Sequence, residues 1–314
     1  MILADSSTQS VLQVIEQGLT TGAIYALIAT GYTLVYGIIQ LINFAHGDVF
    51  MWGTVLTYFM LTKWFKLTTP ISNPFVLIGT VLGLMAICMI TCALIAFTVE
   101  RIAYRPLRRA ASVAPLISAI GASFILENLG LFAIGPSSLN VPNLFPNGSL
   151  NLGVVSFKYI DIFVIVLAVI LMYGLSTFIS RTKMGRAMRS VAQDTEAASL
   201  MGVNINQVII ITFLLGGALA GAASVVYAMR LQVAFFLTGF EAGLKAFTAA
   251  VLGGIGNLYG AMLGGLFIGM IEAFVTAYVH DGLKWADATV FAVLVLVLVF
   301  RPSGILGKQA IVKV

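Results

Sequence analysis

In a chain that is otherwise almost wholly apolar, Asn43-Phe44-Ala45-His46-Gly47-Asp48 brings an amide, an imidazole and a carboxyl into one short interruption. An imidazole beside a carboxyl can relay protons or ligate a metal, and an amide can hydrogen-bond a polar solute. A single histidine supports the first two roles only weakly, since a hydrogen-bonded structural histidine is the more ordinary outcome. A second interruption, TAAVLGGIGN at 248–257, adds backbone groups at Gly253 and Gly254 and polar side chains at Thr248 and Asn257.

Glu127, Glu241, Lys245 and Glu272 fall within apolar runs, where an ionisable group is a functional hypothesis by default. Glu241 and Lys245 stand four apart in the order that suits a helical ion pair. Cys88 and Cys92 lie one helical turn apart with no other cysteine in the chain, so they read as small buried side chains, not as a disulfide framework or metal site. No catalytic constellation and no metal site emerges. The phosphate-binding pattern G-x-x-x-x-G-K-[ST] is absent: GILGKQ at 304–309 has neither its spacing nor its hydroxyl, so this chain is not expected to bind ATP by that route.

The elements that must position these groups belong to a membrane. Of 314 residues only 9% are charged and 60% are hydrophobic, with a mean hydropathy of +1.04. A soluble domain of this size carries about a quarter charged residues. The expected fold is all-α, a polytopic transmembrane helical bundle forming a single domain over 1–314. Apolar runs near the ~20-residue spanning length occur at about 11–38, 45–62, 75–99, 113–134, 159–180, 205–229, 259–279 and 285–300. A shorter glycine-rich run at 241–256 either crosses or re-enters. That makes eight to nine hydrophobic segments with broken or re-entrant helices.

Broken backbone at membrane depth is tolerated only where protein buries it or it lines a watery cavity. Paired interruptions in two halves of a transporter point to its translocation path. A tight turn at the membrane surface is the competing reading for each. Asn43, His46, Gly47, Asp48, Thr248, Gly253, Gly254 and Asn257 are therefore the candidate pathway residues. Glycines at four-residue spacing, Gly256/Gly260/Gly264, Gly265/Gly269 and Gly217/Gly221, read as flat faces for close helix contact.

Sidedness follows from the basic residues. Arg101, Arg105, Arg108 and Arg109 share one short loop, Arg181, Lys183, Arg186 and Arg189 a second segment, and Arg301, Lys308 and Lys313 the last residues; these are 11 of the 17 basic residues. By the positive-inside rule all three places are cytoplasmic, and the segment 135–158 is external. The net charge of +5 thus reflects topology and not nucleic-acid binding. The first span, with no basic n-region or cleavage site ahead of it, reads as its own insertion signal. If every segment crosses, parity puts the N-terminus outside.

The cytoplasmic insert 181–204, RTKMGRAMRSVAQDTEAASLMGVN, is the exception in composition. Met184, Ala187, Met188, Val191 and Ala192 share one helical face. Asp194 sits where an N-cap would, and Gly202 where a C′ glycine would. The second helix so implied has about two turns and is marginal alone in water. It needs a surface, either its own membrane domain or a soluble partner. An interfacial helix held to anionic lipid is the plainer alternative.

The motifs GYTLVYG at 31–37, INFAHGD at 42–48, ERIAYRPLR at 100–108, ISAIG at 117–121, KAFTAAVLGGIG at 245–256 and RPSGILG at 301–307, spread nearly end to end, closely resemble the LivH-type permease of bacterial branched-chain amino acid ABC importers. The resemblance implies a multi-pass protein of the bacterial plasma (inner) membrane that pairs with a second, LivM-type permease, two cytoplasmic ATP-binding subunits and an extracytoplasmic amino-acid-binding protein. ATP and Mg would be held by the partner subunits, with no cofactor in this chain. It also implies coupling to the ATPases through the insert, at Arg186, Asp194, Glu196, Ala197, Ala198, Leu200, Met201 and Gly202. Glu196-Ala197-Ala198-Ser199-Leu200-Met201-Gly202 matches the E-A-A-x-x-x-G start of the importer signature, while the later I-x-L-P part is missing.

The resulting expectation is a non-enzymatic permease subunit of an ATP-driven importer for branched-chain or other neutral, hydrophobic amino acids. Its rivals are a related permease for urea or short amides, an ion-gradient-driven transporter depending on Glu127, Glu272 or His46, and a non-transporting scaffold.

Overall fold

The computed structural model describes residues 2–108, 110, 113–151 and 156–307. Arg109, Lys308 and Lys313, counted above for sidedness, lie outside them. Apolar helices are α1 (Ile2–Ile39), α2 (Ala45–Phe59), α3 (Pro74–Val99), α4 (Val113–Ile134), α5 (Tyr159–Arg181), α8 (Ile205–Leu231), α9 (Thr238–Gly253), α10 (Leu258–Tyr278) and α11 (Gly282–Phe300); the insert forms α6 (Lys183–Gln193) and α7 (Thr195–Leu200). The all-α bundle is as expected.

The count of spans needs correction. Seven helices among the described residues are long and apolar enough to cross a membrane, not eight or nine. The two that fall short are α2, with 15 residues before a π-helical turn at Met60–Trp64, and α9, with 16. Sixteen residues rise about 24 Å, against about 30 Å of hydrocarbon.

Short as it is, α9 is anchored at both ends. It begins just after β4 (Val233–Ala234), which pairs antiparallel with β1 (Leu139–Asn140) of the external segment. It ends where Ile305 N and Leu306 N donate to the carbonyls of Leu252 and Gly253, at 2.8 and 3.1 Å. The last described residues thereby satisfy carbonyls that a helix C-terminus leaves open.

Without a hydrophobic driving force between helices in lipid, close backbone approach does the packing. A Cβ on Gly269 would stand 2.2 Å from Gly22 N, and one on Gly265 2.3 Å from Ala26 N, so α1 and α10 touch backbone to backbone. Gly217 and Gly221 press α8 onto α3 at Cys92 and Cys88, whose free thiols are buried. Gly260 and Gly264 seat α10 on α9. The glycine spacings are packing faces.

The segment after α4 is folded over its described residues. Besides β1 it forms the hairpin β2 (Ser149–Asn151) and β3 (Ser156–Lys158). It also buries Val141, Leu144 and Phe145, and Ile71 N donates to Leu144 O at 2.9 Å.

Candidate transport pathway and coupling surface

The first interruption is a real break. Gln40 takes a positive φ of 54°, and α2 begins at Ala45 with His46 N donating to Asn43 O at 3.1 Å. Asn43 Oδ1 and the Ile42 carbonyl both accept from the Tyr104 hydroxyl, at 3.2 and 3.1 Å. His46 is buried and stacks edge-on to Tyr32 with ring centroids 4.6 Å apart. Asp48, also buried, accepts a hydrogen bond from the Ser123 hydroxyl. Gly47 lies where a Cβ would meet Gly239 O at 2.3 Å, so it holds α2 against α9.

At the second interruption, Gly254 and Gly256 have φ of 104° and 91°, a region open to glycine. Gly253 packs on Gly260 O, where a Cβ would come within 1.9 Å. Asn257 caps α10, accepting from Gly260 N at 3.1 Å, and its amide donates to Leu306 O at 2.8 Å. Thr248 is buried and bonds back to Leu244 O at 2.8 Å.

The structure brings these two breaks together. Gly37, just ahead of the first, lies against Gly256 of the second. Between them Tyr32, Tyr36, Ile42, Asn43, Phe247 and Ile255 surround a fissure of only about 10 Å³. Both breaks lie at the same end of the bundle and are tightly packed.

The large cavity is elsewhere. About 830 Å³ opens between α1, α5, α8, α9, α10 and the folded segment after α4. None of the eight candidate pathway residues lines it. Its walls instead carry Glu16, Tyr25, Asp161, Arg230, Lys245 and Glu272. Arg230 Nε donates to Asp161 Oδ1 at 2.7 Å and Arg230 Nη1 to Thr21 Oγ1 at 3.1 Å. Lys245 Nζ reaches Glu272 Oε1 at 2.8 Å and Asp287 Oδ1 at 2.7 Å, and the Tyr25 hydroxyl donates to Glu272 Oε2 at 2.8 Å.

Lys245 thus pairs across to α10 and α11, and not with Glu241, which is exposed. Sequence reasoning missed Glu16, Asp161 and Arg230. Asp161 and Arg230 lie near helix ends, where a charge looks interfacial, and their pairing spans 69 residues, whereas Glu16 sits within α1.

The insert divides in two. Thr182 caps α6, accepting from Gly185 N at 2.9 Å. The face Met184, Ala187, Met188, Val191 and Ala192 is laid onto the bundle, Met188 and Val191 fully buried. Arg189 also donates to the Ile179 carbonyl, while Arg186 stays exposed.

Asp194 caps α7, its Oδ1 accepting from Glu196 N and Ala197 N at 3.0 Å. Gly202 closes it with a φ of 82°. Ala198 turns inward, Glu196 and Ala197 face out, and Leu200 and Met201 are 87% and 85% exposed. Next along the chain Asn206, in the first turn of α8, accepts from Arg108 Nη1 at 2.7 Å, and Arg108 also holds buried Glu100.

No group of three or more metal-ligating side chains occurs among the described residues.

The model for the branched-chain amino acid transport system permease component matches residues 14–298. The chain belongs to that family. It is 43% identical over 307 residues to the high-affinity branched-chain amino acid transport system permease protein BraD of Pseudomonas aeruginosa, covering 96% of this chain and 98% of BraD. It is 40% identical over 308 residues to LivH of Escherichia coli, described in the same words, covering 96% and 97%. A shorter match, 35% identical over 141 residues, reaches the autoinducer 2 import system permease protein LsrC of Klebsiella pneumoniae. No solved structure matches. Family and fold together make this permease a multi-pass inner-membrane protein.

Proposed function

We propose that this permease is the membrane-spanning subunit through which an ATP-driven importer passes branched-chain and similar neutral amino acids. The observation that carries the reading is the near-complete match to permeases of branched-chain amino acid systems. ATP and Mg are bound by two separate cytoplasmic subunits, a LivM-type permease completes the membrane part, and an extracytoplasmic binding protein delivers substrate. This chain does no covalent chemistry.

Coupling runs through α7. Support comes from its exposed Leu200 and Met201 on a rigidly capped two-turn helix, since exposed apolar pairs of this kind suit an interface core. Motion at α7 passes into α8 and, by Asn206, Arg108 and Glu100, towards Tyr104 and the break at Asn43.

The external cavity receives substrate. The packed layer of Tyr32, His46 and Phe247, with both breaks beneath it, is the closed cytoplasmic end that must open. In that reading Asn43, His46, Gly47, Asp48, Thr248, Gly253, Gly254 and Asn257 form the inner gate of the path.

The test is uptake by the assembled complex in proteoliposomes. ATP-driven accumulation of labelled leucine, competed by valine and isoleucine but not by urea or acetamide, is expected. Competition by the amides and not by the aliphatic amino acids would overturn the substrate assignment.

A further inference from the structure

The large cavity, at about 830 Å³, is within the roughly 300–1,000 Å³ of small-molecule sites. Glu16, Lys158, Asp161, Arg230, Lys245 and Glu272 put charge on its wall, and the carboxyls among them are already engaged. Glu16 and Asp161 are hydrogen-bonded to each other, which two carboxyls can do only if one of them keeps a proton. Asp161 also accepts from Arg230 Nε at 2.7 Å. Glu272 takes Lys245 on one oxygen and the Tyr25 hydroxyl on the other, each at 2.8 Å. The Glu16 oxygen that has no partner is itself buried and closed off from the cavity.

The cations have capacity left. Arg230 commits Nε to Asp161 and Nη1 to Thr21, while its Nη2 has no hydrogen-bond partner among the described residues and is not enclosed. The side chain keeps 14% of its surface accessible, and the cavity is what it lines. Lys158 is exposed on the same wall, close enough to Glu16 to act on its charge. With one proton on the carboxyl pair, Glu16, Asp161 and Arg230 together carry no net charge, and Lys158 makes the group positive. A guanidinium nitrogen with two unused N–H groups suits a carboxylate. Ile24, Phe145 and Leu231 supply apolar wall on the same cavity for an aliphatic chain.

We propose that the large cavity is a carboxylate-accepting vestibule in which Arg230, held in place by Asp161 and Thr21, takes the carboxylate of an aliphatic solute through Nη2, with Lys158 adding positive charge. The assignment rests on the permease reading and adds to it the group by which the membrane subunit holds its cargo. Aliphatic acids and amino acids fit the site; the corresponding amines that lack the carboxylate do not.

The test places the full-length permease in nanodiscs of zwitterionic lipid, with empty nanodiscs as the blank. Saturation-transfer NMR then compares three probes of one carbon skeleton: leucine, 4-methylpentanoate and 3-methylbutylamine. Leucine and the acid are expected to give signals and to compete with each other, while the amine gives none. Arg230→Lys keeps the charge and loses the planar donor, and is expected to weaken both by about tenfold or more, the loss of a charge-assisted hydrogen bond. Lys158→Gln, at an exposed side chain, is expected to weaken both by about two- to fivefold. Binding of the amine as strong as that of the acid, no binding of the acid, or unchanged binding of the acid in Arg230→Lys would each overturn the vestibule assignment. If Arg230→Lys does not fold, Lys158→Gln decides on the same criterion. ATP-driven leucine uptake by the complete complex is measured alongside: uptake with no preference for the acid over the amine sinks the vestibule alone, whereas no uptake sinks the permease reading.

Discussion

The Tyr104 hydroxyl stands 3.2 Å from Asn43 Oδ1, joining the cytoplasmic loop after α3 to the break between α1 and α2, 61 residues away in sequence. The same hydroxyl donates to the Ile42 carbonyl, so one side chain fastens two residues of non-helical backbone. Backbone that leaves a helix at membrane depth must be satisfied by protein, and Tyr104 does this at the point where α2 begins. Tyr104→Phe keeps the ring on Phe213 and removes the hydroxyl. It is expected to destabilise the solubilised protein by about 1 kcal/mol, read as a lower thermal midpoint in detergent.

Leu200→Asp with Met201→Asp separates docking from folding. Both side chains are almost fully exposed, so thermal stability should stay within about 0.5 kcal/mol. Capture of the ATP-binding subunits by the tagged permease should be lost. Undiminished capture would move the coupling surface away from α7.

Two changes should weaken the same helix from its ends. Asp194→Ala removes a cap that serves two amides, a loss of about 0.5–2 kcal/mol. Gly202→Val forces a branched side chain into a φ of 82°, costing about 1–2 kcal/mol. Each should lower ATP-driven uptake while leaving membrane insertion intact, as judged by uptake against the amount of permease in the vesicles.

The Lys245–Glu272–Asp287 group joins α9, α10 and α11. Lys245→Met leaves the Glu272 carboxyl without its cation in a partly buried place and should destabilise the fold. Adding Glu272→Gln should recover much of the loss, with a coupling of about 1–3 kcal/mol in a double-mutant cycle. Simple additivity would mean that the pair acts independently.

Gly269→Leu tests the glycine faces. The new side chain would be driven into the backbone of Gly22; overpacking costs about 1–3 kcal/mol or more, and a clash with backbone belongs at the upper end. Little folded protein should be recovered by size-exclusion chromatography, whereas Gly79→Leu, where a Cβ meets nothing, should behave as the native chain.

What could be read in the sequence was local or periodic. The helix α7 was legible because its start and stop signals, Asp194 and Gly202, act within a few residues. The apolar face of α6 and the four-residue glycine spacings were legible because a helix repeats. The Glu241–Lys245 pair was read wrongly for the same reason: an i,i+4 ion pair is worth only a few tenths of a kcal/mol, and Lys245 instead reaches two carboxylates on neighbouring helices. The cluster of Glu16, Asp161 and Arg230 depends on how α1, α5 and α8 are arranged, which no spacing along the chain reveals. The breaks themselves were visible, but that they meet at the cytoplasmic end while the cavity opens at the other follows only from the helix packing.

The most direct measurement of the central claim is labelled-leucine uptake into proteoliposomes holding either this permease alone or the complex with its partner permease, ATP-binding subunits and binding protein. Uptake that requires the complex and ATP, and is absent for the single chain under any imposed proton or sodium gradient, is the predicted result. Gradient-driven uptake by the single chain without ATP would contradict it.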